Sequence, residues 1–199
     1  MIGAISGQLV NKHPPFLLVD VGGVGYELEA PMTTFYALPE AGQAVSLFVH
    51  HLVREDAQLL FGFSDRPQRE LFRSLLKVNG VGPRVALAIL STLSTEQFIA
   101  CIHHSDVATL TRVPGIGAKT AERMILDMRD RISAPGPAGE RDDPAHPAAS
   151  QSPVQDAVGA LIALGYKAAE ATKAVRAVEA KSGERDDLIR NALQYLSRS

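Results

Sequence analysis

The stretch Val78-Asn79-Gly80-Val81-Gly82-Pro83-Arg84-Val85-Ala86 returns thirty-five residues later as Val113-Pro114-Gly115-Ile116-Gly117-Ala118-Lys119-Thr120-Ala121. In each copy Gly-apolar-Gly permits a tight reversal between two helices, the central Val81 or Ile116 plugs the core, and the second glycine opens the next helix. The start of that helix presents unpaired N–H groups and positive dipole character, with Arg84 or Lys119 beside it. Pro83 has no N–H to offer but suits a first helical position. The chemistry this predicts is a pair of phosphate clamps. Each charge-assisted hydrogen bond contributes about 1.5–3 kcal/mol before desolvation. Clamps of this kind hold a sugar-phosphate backbone and read no bases, so any selectivity among DNAs has to come from shape.

Around the repeat the sequence is helical. Leu71, Leu75 and Leu76 make one apolar stripe, and Val85, Ala86, Ile89, Leu90 and Leu93 a second. Ser94, three residues before Gln97, has capping-box spacing and begins a helix through Phe98, Ile99 and Ile102; Ser105 is the expected cap of a short helix over Val107 to Leu110. A last helix is expected from Ala118 to about Arg131. Charge singles out the same segment. Net charge over the 199 residues is −2, yet residues 64–133 hold ten basic and seven acidic side chains, while residues 1–63 hold two and six. The cationic middle is where a polyanion would sit.

Upstream, short apolar runs alternate with turn signals: Met1 to Val10, Phe16 to Val21, Gly25 to Glu29, Val45 to Val53 and Leu59 to Phe63. These read as five strands. Asn11 and Pro14-Pro15 mark the first connection, Gly22-Gly23 a tight hairpin, and the Pro31 to Pro39 segment has room for one helical turn. A closed five-stranded barrel of the OB type fits this count, and another small barrel or sandwich fits the strand pattern as well. Glu55-Asp56 falls at the tip of the hairpin joining the last two strands, where a solvated turn is the plain reading.

Downstream, residues 134–152 contain four prolines, two glycines and no large apolar residue, the composition of a flexible linker. Beyond it three amphipathic stripes, broken at Gly165 and Gly183, make a three-helix module over residues 153–199: Val154, Val158, Leu161 and Ile162; Val175 and Val178; Leu188, Ile189, Leu193 and Leu196.

Other chemistries find little purchase. No uninterrupted apolar stretch approaches the roughly 18–20 residues of a membrane span, the N-terminus lacks signal-peptide features, and Cys101 is the single cysteine, so a cytoplasmic protein is expected. Gly117-Ala118-Lys119-Thr120 lacks the upstream glycine and the Gly-Lys step of a P-loop, and Gly22-Gly23-Val24-Gly25 lacks the spacing of a dinucleotide site. His50-His51 and His103-His104 are neighbours without metal-ligand spacing and are expected at the surface or at strand edges. No cofactor is expected.

The paired turns resemble helix-hairpin-helix DNA-binding motifs. Taken in order, Met1-Ile2-Gly3, Val21-Gly22-Gly23-Val24-Gly25-Tyr26-Glu27, Leu52-Val53-Arg54-Glu55-Asp56-Ala57-Gln58-Leu59-Leu60-Phe61-Gly62-Phe63, Asn79-Gly80-Val81-Gly82-Pro83 and Pro114-Gly115-Ile116-Gly117-Ala118-Lys119-Thr120-Ala121-Glu122-Arg123 resemble the RuvA family, Holliday-junction-binding subunits of the bacterial branch-migration machine. The likeness is close over residues 1 to about 131 and looser beyond 154, where it includes Ala163-Leu164-Gly165-Tyr166. It implies a multidomain β plus α architecture: an N-terminal five-stranded OB barrel (1–63), a helical double helix-hairpin-helix domain (64–133) and a C-terminal three-helix UBA-like domain (153–199). It implies DNA contacts from Arg54, Gly80, Val81, Gly82, Arg84, Gly115, Ile116, Gly117, Lys119, Thr120 and Arg123. Glu55 and Asp56 become an acidic pin at the strand crossover, and Leu161, Leu164 and Tyr166 candidate contacts to the RuvB ATPase motor. Further implications are a homotetramer, single or stacked as two, acting in recombination and repair alongside the junction-cleaving nuclease RuvC, with ATP hydrolysed by the partner. Ala118 stands where many relatives carry a second basic residue. A helix-hairpin-helix repair nuclease or glycosylase is the competing reading, although no clustered acidic metal motif accompanies Glu55-Asp56.

Overall fold

The computed structural model describes residues 1–133, 153–178 and 185–197. Contacts divide the chain into two units, 1–133 and 134–199. The expected linker over 134–152, and the break at Gly183, lie outside the described residues.

Five strands, β1 (Ala4–His13), β2 (Phe16–Val21), β3 (Val24–Glu29), β4 (Ala44–Val53) and β5 (Gln58–Phe63), close a barrel in the order β1-β2-β3-β5-β4. Neighbours are antiparallel except β3 with β5, whose parallel pairing at Glu29 and Phe61 completes the ring and leaves no free edge. This is the OB arrangement, and the alternative small sheets are set aside. Alternation along the strands turns Ile5, Leu9, Leu17, Val19, Leu28, Leu47 and Val49 inward. The Gly22-Gly23 turn forms as expected: both glycines have positive φ, 64° and 91°, and the Gly23 N–H donates to Asp20 Oδ1 at 2.9 Å. The helical turn is present as α1 (Met32–Ala37).

Asn11 does not end the first strand. The register shifts between Leu9 and Asn11, and this bulge at Val10 lets β1 continue to His13, so that Pro14-Pro15 alone makes the connection. Nothing in the local pattern distinguishes a bulge from a stop.

Helices α2 (Arg66–Leu75), α3 (Pro83–Thr92), α4 (Thr95–His104), α5 (Val107–Leu110) and α6 (Ala118–Ser133) follow. Asp65 caps α2, its carboxylate accepting the Gln68 N–H at 2.8 Å. The capping box of α4 is complete, with the Gln97 N–H donating to Ser94 Oγ at 3.2 Å and the Ser94 N–H to Gln97 Oε1 at 2.9 Å. The cap of α5 is Asp106, not Ser105. The Asp106 carboxylate accepts from the Thr109 N–H at 3.0 Å and its hydroxyl at 2.6 Å, while Ser105, at φ 55°, is the left-handed residue that ends α4.

The barrel interior and the helices have separate cores, and the last strand joins them by giving Phe61 and Phe63 to the helical one. Phe61 and Phe63 of β5 each lie 5.0 Å from the ring of Phe72 on α2. Arg69, 5% exposed, donates to the Gly3 carbonyl at 2.9 Å, pairs with Glu70 at 3.1 Å and stands 5.4 Å over the Phe48 ring. On the other side Thr33 Oγ1 donates to the Leu90 carbonyl and the Met32 N–H to Ser91 Oγ, both at 2.9 Å. The consequence is mechanical: the β4–β5 hairpin and the two Gly-apolar-Gly turns belong to a single packed unit.

His50 departs from expectation. Its ring stacks on Phe61 at 6.3 Å and meets Phe72 edge-on at 5.6 Å, and its Nε2 is buried without a partner. Burial first, then the Arg73 and Arg69 charges, lower its pKa from the ordinary histidine value. His103 and His104 are exposed, as expected.

The second unit contains α7 (Pro153–Ala163), α8 (Ala168–Val178) and α9 (Arg185–Ser197) around Ala157, Leu161, Ala171, Ala174, Val175, Leu188 and Ala192. Gly165 closes α7 at φ 99°, with the Tyr166 N–H returning to the Leu161 carbonyl at 3.2 Å. Among the described residues no single helix is long and apolar enough to cross a membrane.

Candidate nucleic-acid interface

The duplication in sequence is a duplication in conformation. Gly80 and Gly115 have φ of 88° and 89°. Val81 N–H donates to the Val78 carbonyl at 3.1 Å, and Ile116 N–H to the Val113 carbonyl at 3.1 Å. Ala86 N–H reaches the Gly82 carbonyl at 3.0 Å, and Ala121 N–H the Gly117 carbonyl at 2.9 Å. The turns are neighbours as well, since a Cβ built on Gly115 would lie 3.5 Å from Val85 Cγ2.

The glycines of each turn differ in purpose. At Gly80 and Gly115 the left-handed backbone itself requires glycine. At Gly82, φ is −93°, a value open to any residue, and at neither Gly82 nor Gly117 would a Cβ meet anything within 4 Å. The fold of the chain gives no reason for glycine there. A bare backbone facing open space at the mouth of a helix is the arrangement that lets an outside anion approach its amides closely.

The remaining candidates sort by burial. Arg84, Lys119 and Arg123 are exposed, and Thr120 is half-buried on the first turn of α6. Lys119 and Arg123 are four residues apart on one helix and so share a face. Val81 and Ile116 are buried with their N–H groups engaged within the turn, which makes them plugs that shape the turn, with little side-chain surface to offer a ligand. In the barrel, Arg54, Glu55 and Asp56 are all exposed at the tip of the β4–β5 hairpin, closed by the Arg54 N–H donating to the Ala57 carbonyl at 2.8 Å. In the second unit Leu161 is fully buried and holds the three helices together. Leu164 is 62% exposed, and Tyr166 is half-buried against the core. Among the described residues no group of three or more His, Cys, Asp or Glu could hold a metal ion. Cys101 is buried, and burial raises its thiol pKa, which disfavours the thiolate.

Three family models match the chain in order: the RuvA N-terminal domain over residues 1–62, a SAM-like helix-hairpin-helix tandem over 72–130, and the RuvA C-terminal domain over 152–197. Relatives match end to end. Proteins named "Holliday junction branch migration complex subunit RuvA" are 52% identical in Alkalilimnicola ehrlichii, 52% in Thioalkalivibrio sulfidiphilus and 49% in Pseudomonas savastanoi, each covering 98% of both chains. This chain belongs to the RuvA family. Membership in RuvA accounts for the order barrel, hairpin tandem, helical module.

Two residues without a signal in the sequence also hold the first unit together. Arg69 reads as one more surface charge, yet it joins barrel to helices. Gly7 carried no turn signal; its lack of a side chain is needed because a Cβ would run into the Asp20 carbonyl as β1 crosses the barrel.

Proposed function

We propose that this chain is the Holliday-junction-binding subunit of a branch-migration complex, a non-catalytic protein that holds four-way DNA in an open square form and recruits and stimulates an ATPase motor, the RuvB protein. The observation that carries the reading is the presence, in one compact unit, of two turns with matching backbone and glycine-bared helix mouths together with an acidic hairpin tip. The names of the relatives support it, and none of those compared is named as a nuclease.

The clamps engage backbone phosphates through the first-turn amides of α3 and α6, with Arg84, Lys119, Thr120 and Arg123 adding charge and hydrogen bonds. Such contacts ignore sequence, as a junction that migrates through any sequence requires. One chain grips one arm. Four arms ask for four chains, so a cyclic homotetramer, alone or stacked in pairs, supplies both the symmetry and the joint action of weak clamps.

Glu55 and Asp56 then meet at the crossover. A single carboxylate 6 Å from a phosphate repels it by only about 0.7 kcal/mol in water, so the effect depends on gathering many at one point and on a lower local dielectric. Arg54 beside them offers a phosphate contact, and the pair separates strands as they exchange partners. The helical module of α7 to α9 presents Leu164, with Tyr166 behind it, to the motor, whose ATP hydrolysis drives migration. A junction-cleaving nuclease, RuvC, is the partner that consumes the migrated junction, and the setting is the cytoplasm.

Competition binding tests the core of this. Labelled four-way junction bound to the full chain at low salt should resist a large excess of linear duplex of equal length and yield to unlabelled junction. Equal competition by linear duplex would refute junction recognition, and strand cleavage by the protein alone with Mg²⁺ would favour a repair enzyme.

A further inference from the structure

The correspondence between the two hairpins begins upstream of Val78 and Val113. Lys77 N–H donates to the Ser74 carbonyl at 3.2 Å, and Arg112 N–H to the Thr109 carbonyl at 3.2 Å; Val78 and Val113 N–H groups follow at 2.9 and 3.2 Å to Leu75 and Leu110. The backbone therefore matches from the last turn of the incoming helix to the first turn of the outgoing one, with a cation at its start in both copies. Lys77 and Arg112 are exposed. Neither is in an ion pair among the described residues. The acidic group nearest in effect to Arg112, Asp106, already has its carboxylate bound by Thr109, whose hydrogen bonds are the main cause of its lowered pKa.

We infer that Lys77 and Arg112 are a second pair of phosphate contacts, each gripping the strand on the far side of its turn from Arg84 and Lys119. This rests on the phosphate-clamp reading and extends it. Each bare turn is bracketed by two cations seven residues apart in sequence. Lys77 precedes Gly80, and Arg112 precedes Gly115, by three positions, so each Cα lies within roughly 11 Å of its turn. A long flexible side chain from there can reach a neighbouring phosphate, since successive phosphates of one strand advance only about 3.4 Å along the helix axis. A cation at the end of a helix also complements the dipole, but that role asks for no match between the copies, and α2 already carries Arg73 in its last turn.

The test compares variants of the full chain on a synthetic four-way junction across a salt series, with thermal melting as a fold check. Lys77→Gln with Arg112→Gln should melt within about 2 °C of the parent. It should bind the junction at least tenfold more weakly and with a shallower dependence of log affinity on log salt, by about one unit for each phosphate no longer engaged. Lys12→Gln with Lys173→Gln removes the same charge away from the turns and should change neither. An unchanged slope in the first pair, or an equal loss in the second, overturns the inference in favour of no contact or of bulk charge. The charge-conserving pair Lys77→Arg with Arg112→Lys should bind as the parent does, and a loss there would assign these side chains a structural role instead. Arg84→Gln with Lys119→Gln separates the two levels: if that pair weakens binding and Lys77/Arg112 does not, only the extension fails, and if neither does, the clamp itself fails.

Discussion

Alanine at the four turn glycines should split stability from DNA binding. Gly80 and Gly115 hold φ near 88° and 89°, where an L side chain costs about 1–2 kcal/mol, so Gly80→Ala or Gly115→Ala should lower the melting temperature of the 1–133 unit by roughly 4–8 °C. Gly82 has φ −93°, and neither Gly82 nor Gly117 has a neighbour within 4 Å of a built Cβ. Alanine there should change stability by no more than about 0.5 kcal/mol, under roughly 2 °C, because the slightly poorer cap is offset by the smaller entropy of the unfolded chain. The added methyl nevertheless occupies the space through which a phosphate would reach the helix-mouth amides. Losing one charge-assisted hydrogen bond of about 1.5–3 kcal/mol weakens binding by about 10- to 150-fold for each clamp engaged. Gel shift on a four-way junction, with scanning calorimetry on the same samples, reads both effects. Native affinity in the Gly82→Ala, Gly117→Ala double variant would show that the open space at these glycines is not where DNA lies, and would refute the clamp.

Three further outcomes are expected. Glu55→Gln with Asp56→Asn, both exposed at the hairpin tip, should leave melting unchanged and preserve or tighten junction binding while altering branch migration with the motor; native behaviour in the binding and migration assays together would remove the pin. Deleting residues 153–199 should spare junction binding and abolish stimulation of the motor, and surviving stimulation would place the partner site in the first unit. Because the folded pKa of His50 lies below its ordinary 6.5, the unfolded chain takes up the proton first, so stability is full above that value and declines as pH falls below it toward the folded pKa. His50→Leu should flatten the fall in melting temperature as pH drops below about 6.5, relative to the parent chain; an equally steep fall would assign it to other groups.

The local parts of this protein are legible because their causes are local. Two positive-φ glycines make the Gly22-Gly23 hairpin, Ser94 and Gln97 close their capping box, and the Gly-apolar-Gly repeat announces two equal turns, since each depends on a few adjacent residues. Where two local solutions compete, the sequence is ambiguous. Ser105 and Asp106 are both good caps, and the choice fell to the carboxylate that reaches Thr109 while Ser105 took the left-handed bend.

Side chains whose role depends on what arrives from elsewhere in the chain were not legible. Leu161 and Leu164 are alike in sequence, yet the first lies on α7 enclosed by α8 and α9, while the second falls past the end of α7, in the turn at Gly165, and stays outside. Arg69 and His50 look like surface groups until Phe48, Phe61 and Phe72 enclose them.

Sequence by itself determined the element order, the doubled turn with its cations, and the family. Only the tertiary structure decided which strand closes the barrel, which glycines serve the backbone and which face empty space, and that the acidic hairpin tip and the two glycine turns fall within one compact unit. The physical reason is range: dihedral preference and capping act across a few residues, whereas burial is set by contacts between segments far apart along the chain.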